Sequence, residues 1–436
     1  RIVIFKCKNK CCTHKNQKKG CGNSDFTVQS TWAMNNTLAD LQQSVYAELN
    51  LVISASGLAL AAAPDKGAVY TMDTAGATVL QNDKDRNISY KKDQLTNNPV
   101  IEGVSPTTGL PVGEGWYYPV LVQISNPEDT VKVDGKKVTT AGVGTRAPWS
   151  GQYADIVYEG ILYREGQTRI TFMFSDSLYD GMPTSAGPVR SARIGHVLLR
   201  EEWQGGICFA GGPRVKGNNI IETFTELGAI EKGGVFNLDS NDYNDHWYRV
   251  EGLKNPENVT VNPVAIRETV PQEHRNATPH PFLFVDFSPY TDGYEMAYSI
   301  NLDWGHKRYI SHFYYDETNN LYLRYSANVP YMSFDSAEDR SEENAEQLSF
   351  SNVIIQRVPY EYVNNNKTMP KMLAVGQGNA DIFIGGRYIP GYWVRESESS
   401  PTVFFDDKGN EIQLTRGKTF IAHFPPERLL TYGGAE

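Results

Sequence analysis

The feature that most constrains the fold is a long series of short, strand-like segments in the second half of the chain. From residue 281 onwards, apolar and aromatic residues alternate with polar ones in segments such as FLFVDF, KRYISHFYYD, ADIFIGG and KTFIAHF. A period of two is typical of β-strands that turn one face toward a core. Gly385-Gly386 and the segment DKGN at 407–410 are typical of turns between such strands. The pattern predicts a mainly antiparallel β domain over residues 271–436.

Residues 99–270 show a more mixed pattern. Strand-like runs and amphipathic, helix-like runs follow one another at 119–125, 153–163, 168–174, 194–203 and 220–227. Asp134-Gly135 between alternating residues predicts a β-hairpin. Because helices and strands mix without a regular βαβ repeat, we expect an α+β domain here.

The first 98 residues differ from the rest of the chain. Four of the five cysteines lie here, at Cys7, Cys11, Cys12 and Cys21. Residues 31–63 have apolar side chains at helical spacing and end before Pro64, which predicts a helix. A polar linker follows up to residue 98. The predicted fold class is therefore α+β: a helical N-terminal extension, a mixed α/β N-terminal domain and a mainly antiparallel β domain.

Composition excludes some kinds of partner. The formal net charge is −10 and the pI is about 5.4, which argues against nonspecific binding of nucleic acid or of anionic membranes. The apolar run at 49–63 is shorter than the roughly 20 residues of a membrane span. We therefore expect the helix over 31–63 to be buried or to bind a partner, and self-association through this segment is one prediction.

The segment SAGPVRSAR at 185–193 contains the most informative local chemistry. Arg190 and Arg193 lie three residues apart, around Ser191, and they precede the amphipathic run at 194–203. If a helix begins there, its free N–H groups and both guanidinium groups face one place, which describes an anion site. The alternative is structural, because paired arginines also hold buried carboxylates. Asp155 and Glu159 are the candidate partners for that role.

Motifs for metal, cofactor or catalytic chemistry are missing from the sequence. There is no G-x-S-x-G, H-E-x-x-H, P-loop or G-x-G-x-x-G pattern, and DSNDYND at 239–245 lacks the glycine and terminal glutamate of a calcium loop. The sequence therefore predicts no metal and no cofactor, and it favours a binding protein over an enzyme.

Several longer motifs together resemble a known family. In the first part of the chain they are PTTGLPV (106–112), ADIVYE (154–159), Thr168-Arg169, GPVRSAR (187–193) and AGG (210–212). In the second part they are NVIIQ (352–356), VGQG (375–378), GYW (391–393) and PTVFFDDKGNEIQLTRG (401–417). This set, spread over residues 99–428, resembles the YerB-like lipoproteins, also known as domain of unknown function 3048.

The resemblance implies a location more than an activity. Members of that family are typically exported, lipid-anchored proteins of Gram-positive bacteria, without an established activity. It therefore implies an extracellular or cell-surface location and a lipid anchor. One position departs from the family: Glu257 stands where the family has a histidine, which weakens an enzymatic interpretation that relies on that histidine.

Our first functional hypothesis is a binding or assembly module of the cell envelope that recognises an anionic group, a glycan or a protein partner. Arg190, Arg193 and Arg169 would hold the anion, and Tyr158 or Trp247 would stack on a sugar ring. The candidate ligand-binding set comprises Arg190, Arg193, Ser191, Arg169, Asp155, Glu159, Tyr158, Gly211 and Gly212.

Two alternatives belong to other classes. The N-terminal extension suggests a structural subunit that inserts into the next copy of a surface assembly. Asp155 and Glu159 suggest a cell-wall hydrolase. However, positions four apart on a strand are separated by about 13 Å, which exceeds the roughly 5–9.5 Å between glycosidase carboxylates. The hydrolase would therefore need a further acidic residue from another strand.

Overall fold

The computed structural model describes residues 98–275, 277–362 and 370–433, and the backbone of three short strands before them. These strands are β1 (Val3–Lys6), β2 (Thr27–Ser30) and β3 (Thr78–Leu80). The predicted helix over 31–63 and the four N-terminal cysteines lie outside the described residues.

Residues 1–65 and 66–436 form two compact units. In the first unit, β1 and β2 pair in antiparallel orientation, with Val3 opposite Ser30. All other described elements belong to the second unit. Within the described residues, no helix combines the length and the apolar character that a membrane span needs.

Between residues 98 and 275 the chain forms eleven strands, three α-helices and four single-turn 3-10 helices. The α-helices are α1 (Ile194–Trp203), α2 (Ile220–Glu226) and α3 (Pro263–Arg267). The strands are β4 (Val120–Ile124), β5 (Glu128–Val133), β6 (Lys136–Ala141), β7 (Ile156–Ile161), β8 (Thr168–Phe174), β9 (Gly206–Phe209), β10 (Arg214–Val215), β11 (Asn218–Asn219), β12 (Val235–Asn237), β13 (Trp247–Arg249) and β14 (Val259–Val261).

The remainder of the described chain consists of strands and their connections. These strands are β15 (Leu283–Val285), β16 (Glu295–Met296), β17 (Ser299–His306), β18 (Tyr309–Asp316), β19 (Leu321–Ser326), β20 (Val329–Pro330), β21 (Met332–Ser333), β22 (Glu346–Gln347), β23 (Ser349–Phe350), β24 (Asn352–Arg357), β25 (Tyr360–Tyr362), β26 (Pro370–Met372), β27 (Gly376–Ile384), β28 (Arg387–Arg395), β29 (Val403–Asp406), β30 (Gln413–Thr415), β31 (Thr419–Phe424) and β32 (Leu430–Gly433).

The predicted α+β fold class is wrong. Within the described residues the protein is mainly β, built from several sheets, and it contains only three short α-helices. The periodicity of single segments shows whether they are strand-like but not which strands pair. In the structure, strands from both sides of residue 270 join one sheet, so the first part of the chain contributes to a β architecture. The predicted helical extension is not part of the described structure.

An eleven-stranded mixed sheet forms the centre of this unit. Its strand order is β12-β9-β4-β8-β7-β31-β24-β27-β28-β16, and β29 also pairs with β28. The pairs β12–β9, β9–β4, β7–β31 and β31–β24 are parallel, and the others are antiparallel. Because β7 and β31 are far apart in the sequence, their pairing joins an early and a late segment of the unit.

The two faces of this central sheet are covered differently. A second, antiparallel sheet with the order β20-β19-β18-β17-β32-β3 covers one face, and β23 also pairs with β19. Helices α1 and α2 cover the other face, where Val197 and Phe224 pack with Leu121 and Ile156 of the sheet. Central strands buried on both faces have nearly continuous apolar sequences, as TRITFMF in β8 shows. The result is a helix layer, a central sheet and a second sheet.

The predicted hairpin at Asp134-Gly135 is confirmed. Strands β5 and β6 pair in antiparallel register, with Val133 opposite Lys136. Asp134 and Gly135 have φ angles of 48° and 75°, the left-handed region that the tightest hairpin turns require. Both residue types adopt this region at low cost.

The core between the two sheets gives the first prediction. Phe420 in β31 is fully buried, and its ring lies 4.7 Å from that of Phe313 and 5.5 Å from that of Phe350. Phe420→Ala should lower the free energy of unfolding in urea by about 3–5 kcal/mol, because it leaves a cavity between the sheets. Phe287→Ala is the matched control, since Phe287 is 63% exposed, and it should have a small effect. Equal losses in the two variants would contradict this description of the core.

Candidate anion-binding site

The segment 185–193 is an extended stretch with isolated β-bridges before it leads into α1. Ala186 forms a β-bridge with Val261, and the backbone N–H of Arg190 donates to the carbonyl oxygen of Gln123 at 2.8 Å. Helix α1 then begins at Ile194, as predicted. The first N–H groups of a helix have no partner within it and carry a partial positive charge. Arg190 and Arg193 are therefore fixed next to a helix N-terminus.

Arg169 reaches the same place from the central sheet. It lies in β8 opposite Gly160 of β7, and its neighbour Thr168 points to the other face, where it donates to Glu159 at 2.6 Å. Arg169 is 4% exposed. Together with Arg193 it lines a small inner cavity beside the first turn of α1.

The three arginines, Arg169, Arg190 and Arg193, form what we call the arginine cluster. The Nε and Nη1 atoms of Arg169 and the Nε atoms of the other two are buried without a hydrogen-bond partner. Gln123 Nε2, on the neighbouring strand β4, is in the same condition. All of these atoms are donors, so this region has a surplus of hydrogen-bond donors over acceptors.

Arg169 differs from the other buried arginines in its lack of an ion pair, although Arg267 and Arg324 also have Nε and Nη1 atoms without a hydrogen-bond partner. Six arginines are buried in the described structure. Five of them have a carboxylate oxygen within 3.7 Å, and these are Arg200, Arg267, Arg324, Arg357 and Arg395. Arg169 has no ion pair with any described residue. A buried charge without a counter-charge lowers the stability of the folded state. Arg169 lacks the carboxylate partner that the other five buried arginines have.

The pKa values reflect this crowding of positive charge. Burial lowers the pKa of Arg169 to about 9, and the charges of Arg193 and Arg190 lower it further in the same direction. Burial, with the charge of Arg169 next, also holds the pKa of His196 well below its usual range, so this imidazole is neutral. His196 Nδ1 accepts from the backbone N–H of Arg193 at 2.9 Å, which leaves Nε2 as the donor.

One carboxylate lies close to the arginine cluster. Glu257 Oε1 is 3.6 Å from Arg190 Nε, an ion-pair distance that is too long for a hydrogen bond. Glu257 Oε2 is buried without a partner. The cluster therefore holds three guanidinium charges against one carboxylate.

Two cavities meet at Arg169. The inner one is also lined by His196 and His423, and its volume of about 20 Å³ has room for about one water molecule. The outer one is open, has a volume of about 380 Å³ and is lined by Arg169, Arg190, Glu257 and residues of the neighbouring loops. A ligand in the outer cavity would therefore reach Arg169 and Arg190 directly, with Arg193 beside them on the inner cavity.

The structure does not bring Asp155 or Glu159 to the arginine cluster. Glu159 lies on the other face of the sheet and accepts from Arg324 at 2.9 Å and from Ser311 at 2.7 Å. Asp155 accepts from the backbone N–H groups of Ser175 and Asp176 at 2.8 Å and 3.1 Å. The structural alternative, in which these carboxylates neutralise Arg190 and Arg193, therefore does not describe this protein.

Two other predicted site residues, Tyr158 and Ser191, have their polar groups engaged in hydrogen bonds within the fold. Tyr158 lines the inner cavity, accepts a hydrogen bond from Trp203 at 2.8 Å and stacks on His423. Ser191 donates to the carbonyl oxygen of Ala210 at 2.8 Å, so its hydroxyl is used within the fold.

The two glycines, Gly211 and Gly212, allow close packing behind the segment. Gly211 has a φ of 72°. A Cβ atom on Gly212 would lie 2.1 Å from Ile220 Cδ1 at the start of α2. Both glycines therefore position the backbone beside the segment at 185–193, and neither lines the two cavities at Arg169.

The comparisons with known proteins agree on the family. Residues 108–276 match the family description "Protein of unknown function (DUF3048) N-terminal domain", and residues 300–421 match its C-terminal domain. The chain belongs to the DUF3048 family. Its fold is similar to the crystal structure of YerB protein from Bacillus subtilis, with a TM-score of 0.54 and 20% sequence identity, over 74% of this chain and 96% of that one. No curated protein matches the sequence.

Sequence reasoning missed several residues of this site. His196 follows Arg193 by three residues in the first turn of α1, a spacing at which helical side chains meet. Its contact with Arg193 could therefore have been predicted from the sequence. Gln123 and His423 come from strands whose pairing no local pattern revealed.

The unpaired state of Arg169 gives a stability prediction. Arg169→Met should leave the free energy of unfolding unchanged or raise it by about 1–2 kcal/mol, because it removes a buried charge that lacks a partner. Arg324→Met is the matched control, since Arg324 is also buried but is paired with Glu159. It should cost about 3–5 kcal/mol, because it leaves Glu159 buried without its counter-charge. Urea unfolding measures both, and a large loss in Arg169→Met would contradict the account.

A third prediction concerns the pH dependence of stability that Asp155 causes. Burial, and then the neighbouring charge of Asp176, raise the pKa of Asp155 to about 7. Because the folded state favours the protonated form, its contribution to stability is complete below about pH 4 and is lost as pH rises through about 7. Asp155→Asn should reduce this loss, measured by urea unfolding between these pH values.

The control for that experiment is Asp134→Asn at the exposed turn between β5 and β6, which should keep the pH dependence of the wild type. If Asp155→Asn also kept it, Asp155 would not be the titrating group.

Proposed function

We propose that this protein is a binding protein that holds an anionic group of its ligand with Arg169, Arg190 and Arg193. The observation that carries the proposal is the contrast among the buried arginines. Five of six have a carboxylate partner within the fold, and Arg169, which lines an open cavity, has none. A ligand anion would supply the missing partner.

The geometry supports an anion rather than a neutral ligand. The donors without partners belong to guanidinium groups and to one amide, Gln123 Nε2. Charge-assisted hydrogen bonds to an oxyanion are stronger than those to neutral acceptors. The N-terminus of α1, next to Arg193, favours negative charge in the same place. Glu257 lies within ion-pair distance of Arg190 beside this position.

We place this activity at the cell surface, with a lipid anchor, as the YerB-like motifs imply. The ligand would then belong to the cell envelope, as an anionic glycan, another anionic polymer or an acidic group on a partner protein. Assembly through residues 31–63 concerns a segment outside the described residues. For the hydrolase alternative, Asp155 and Glu159 are each engaged in hydrogen bonds, and they line neither cavity at Arg169.

Inorganic phosphate is a direct probe of the proposal. Isothermal titration calorimetry at low salt should show one bound phosphate per chain, and binding should weaken as chloride rises, because exposed charges are screened. A phosphate concentration 100-fold above the dissociation constant should raise the free energy of unfolding by about 2.7 kcal/mol. Arg190→Ala/Arg193→Ala and Arg169→Met should each lose this binding.

The control is Arg214→Ala, which removes an exposed arginine from β10, away from the cavities at Arg169. It should bind phosphate as the wild type does. If the two cluster variants bound phosphate with unchanged affinity while folding normally, the proposed site would be wrong.

A further inference from the structure

The charge balance of the arginine cluster indicates more than a single negative charge. The arginine cluster holds three guanidinium groups and one carboxylate, Glu257, which leaves two positive charges. Arg169 and Arg190 line the open cavity, and Arg193 lines the inner cavity that it shares with Arg169. A terminal phosphate carries close to two negative charges at neutral pH, whereas a carboxylate carries one. Arg169, Arg190 and Arg193 therefore match a terminal phosphate better than a carboxylate.

The open cavity at Arg169 continues into a larger one. Arg146 and Glu257 line both the cavity of about 380 Å³ and a neighbouring cavity of about 750 Å³. The second cavity runs between the loop at 252–257 and the segment at 144–149, and it reaches Phe334 and Arg340. Together the two cavities form a groove that begins at Arg169, and we call it the phosphate groove.

Cations recur along the phosphate groove. Arg146, Lys254 and Arg340 line its outer part, and none of them forms an ion pair with a carboxylate of the described residues. Arg340 donates to the carbonyl oxygen of Thr145, and its guanidinium lies 5.6 Å from the ring centre of Trp149. A chain of net charge −10 therefore has a local series of cations in one groove.

The acidic residues of the groove are mostly engaged elsewhere. Glu128 forms an ion pair with Arg308. Asp129 accepts from the backbone N–H groups of Thr130 and Thr145 at 2.7 Å and 3.0 Å. Glu342 is exposed at the outer part. The groove cations are therefore available to a ligand.

We propose, building on the proposed function, that the ligand is a linear phosphate-bearing polymer. Its terminal phosphate binds the arginine cluster, and its following phosphates lie along Arg146, Lys254 and Arg340. The inner end provides the specificity for a chain terminus, because there Arg169 and Arg190 line the groove and the charge of Arg193 adds to theirs. The outer cations add affinity with each further phosphate, as cation–phosphate contacts do in other polyanion complexes.

Calorimetry with orthophosphate, tripolyphosphate and a longer linear polyphosphate tests this inference at one ionic strength. The dissociation constant for the wild type should fall by about tenfold or more from orthophosphate to the longer chain, since each 1.4 kcal/mol of added contact is tenfold. Arg146→Ala/Lys254→Ala should bind orthophosphate as the wild type does and lose most of the gain with chain length. Both residues are exposed, so the variant should fold normally.

The matched control is Arg214→Ala/Lys216→Ala, which also removes one exposed arginine and one exposed lysine, but outside the groove. It should keep the gain with chain length. The groove assignment would be overturned if the affinity of Arg146→Ala/Lys254→Ala still rose with polyphosphate length as in the wild type. It would also be overturned if the control lost this rise to the same extent.

Other outcomes separate this inference from the proposed function. Orthophosphate binding without any gain with chain length would refute the polymer and leave the anion site intact. No binding of any phosphate would refute both. Tighter binding of poly-L-glutamate than of polyphosphate would assign the groove to an acidic peptide and overturn the phosphate assignment.

Discussion

The pairing of β7 with β8 on one side and β31 on the other is the constraint on which the rest of the structure depends. It places Gly160 between Arg169 and His423 in one row across the sheet. Because neighbouring residues in a strand point to opposite faces, Glu159 projects toward the second sheet, while Arg169 projects toward the helices. On the face toward the second sheet, Glu159 forms an ion pair with Arg324. On the face toward the helices, Arg169 has no ion pair with any described residue.

This difference between the two faces links stability to function. The carboxylate of Glu159 accepts from Arg324, Thr168 and Ser311, so this buried charge is compensated within the fold. Arg169 is buried to a similar extent but depends on a partner from outside the fold. A fold that keeps such a buried charge is less stable than one with an apolar side chain in its place, which is a common compromise at functional sites.

Local features were predictable from the sequence, because nearby residues determine them. The turn at Asp134-Gly135 and the start of α1 at Ile194 are of this kind. The assembly of the sheet was not predictable, because parallel pairing of β7 with β31 brings together segments far apart in the chain. The fold class was wrong for this reason. The proximity of Arg190 to Arg193 follows from their spacing, whereas the convergence of Arg169 with them depends on the face to which β8 directs it.

The most direct test of the central claim is a phosphate titration followed through the arginine Nε–H resonances in ¹H–¹⁵N NMR spectra. If these arginines hold the anion, the resonances of Arg169, Arg190 and Arg193 should shift together along one binding curve. Those of Arg357 and Arg395, which the fold pairs with Asp381 and Glu202, should stay in place. If the resonances of the arginine cluster did not move while phosphate bound elsewhere, the claim that these three arginines hold the anion of the ligand would be contradicted.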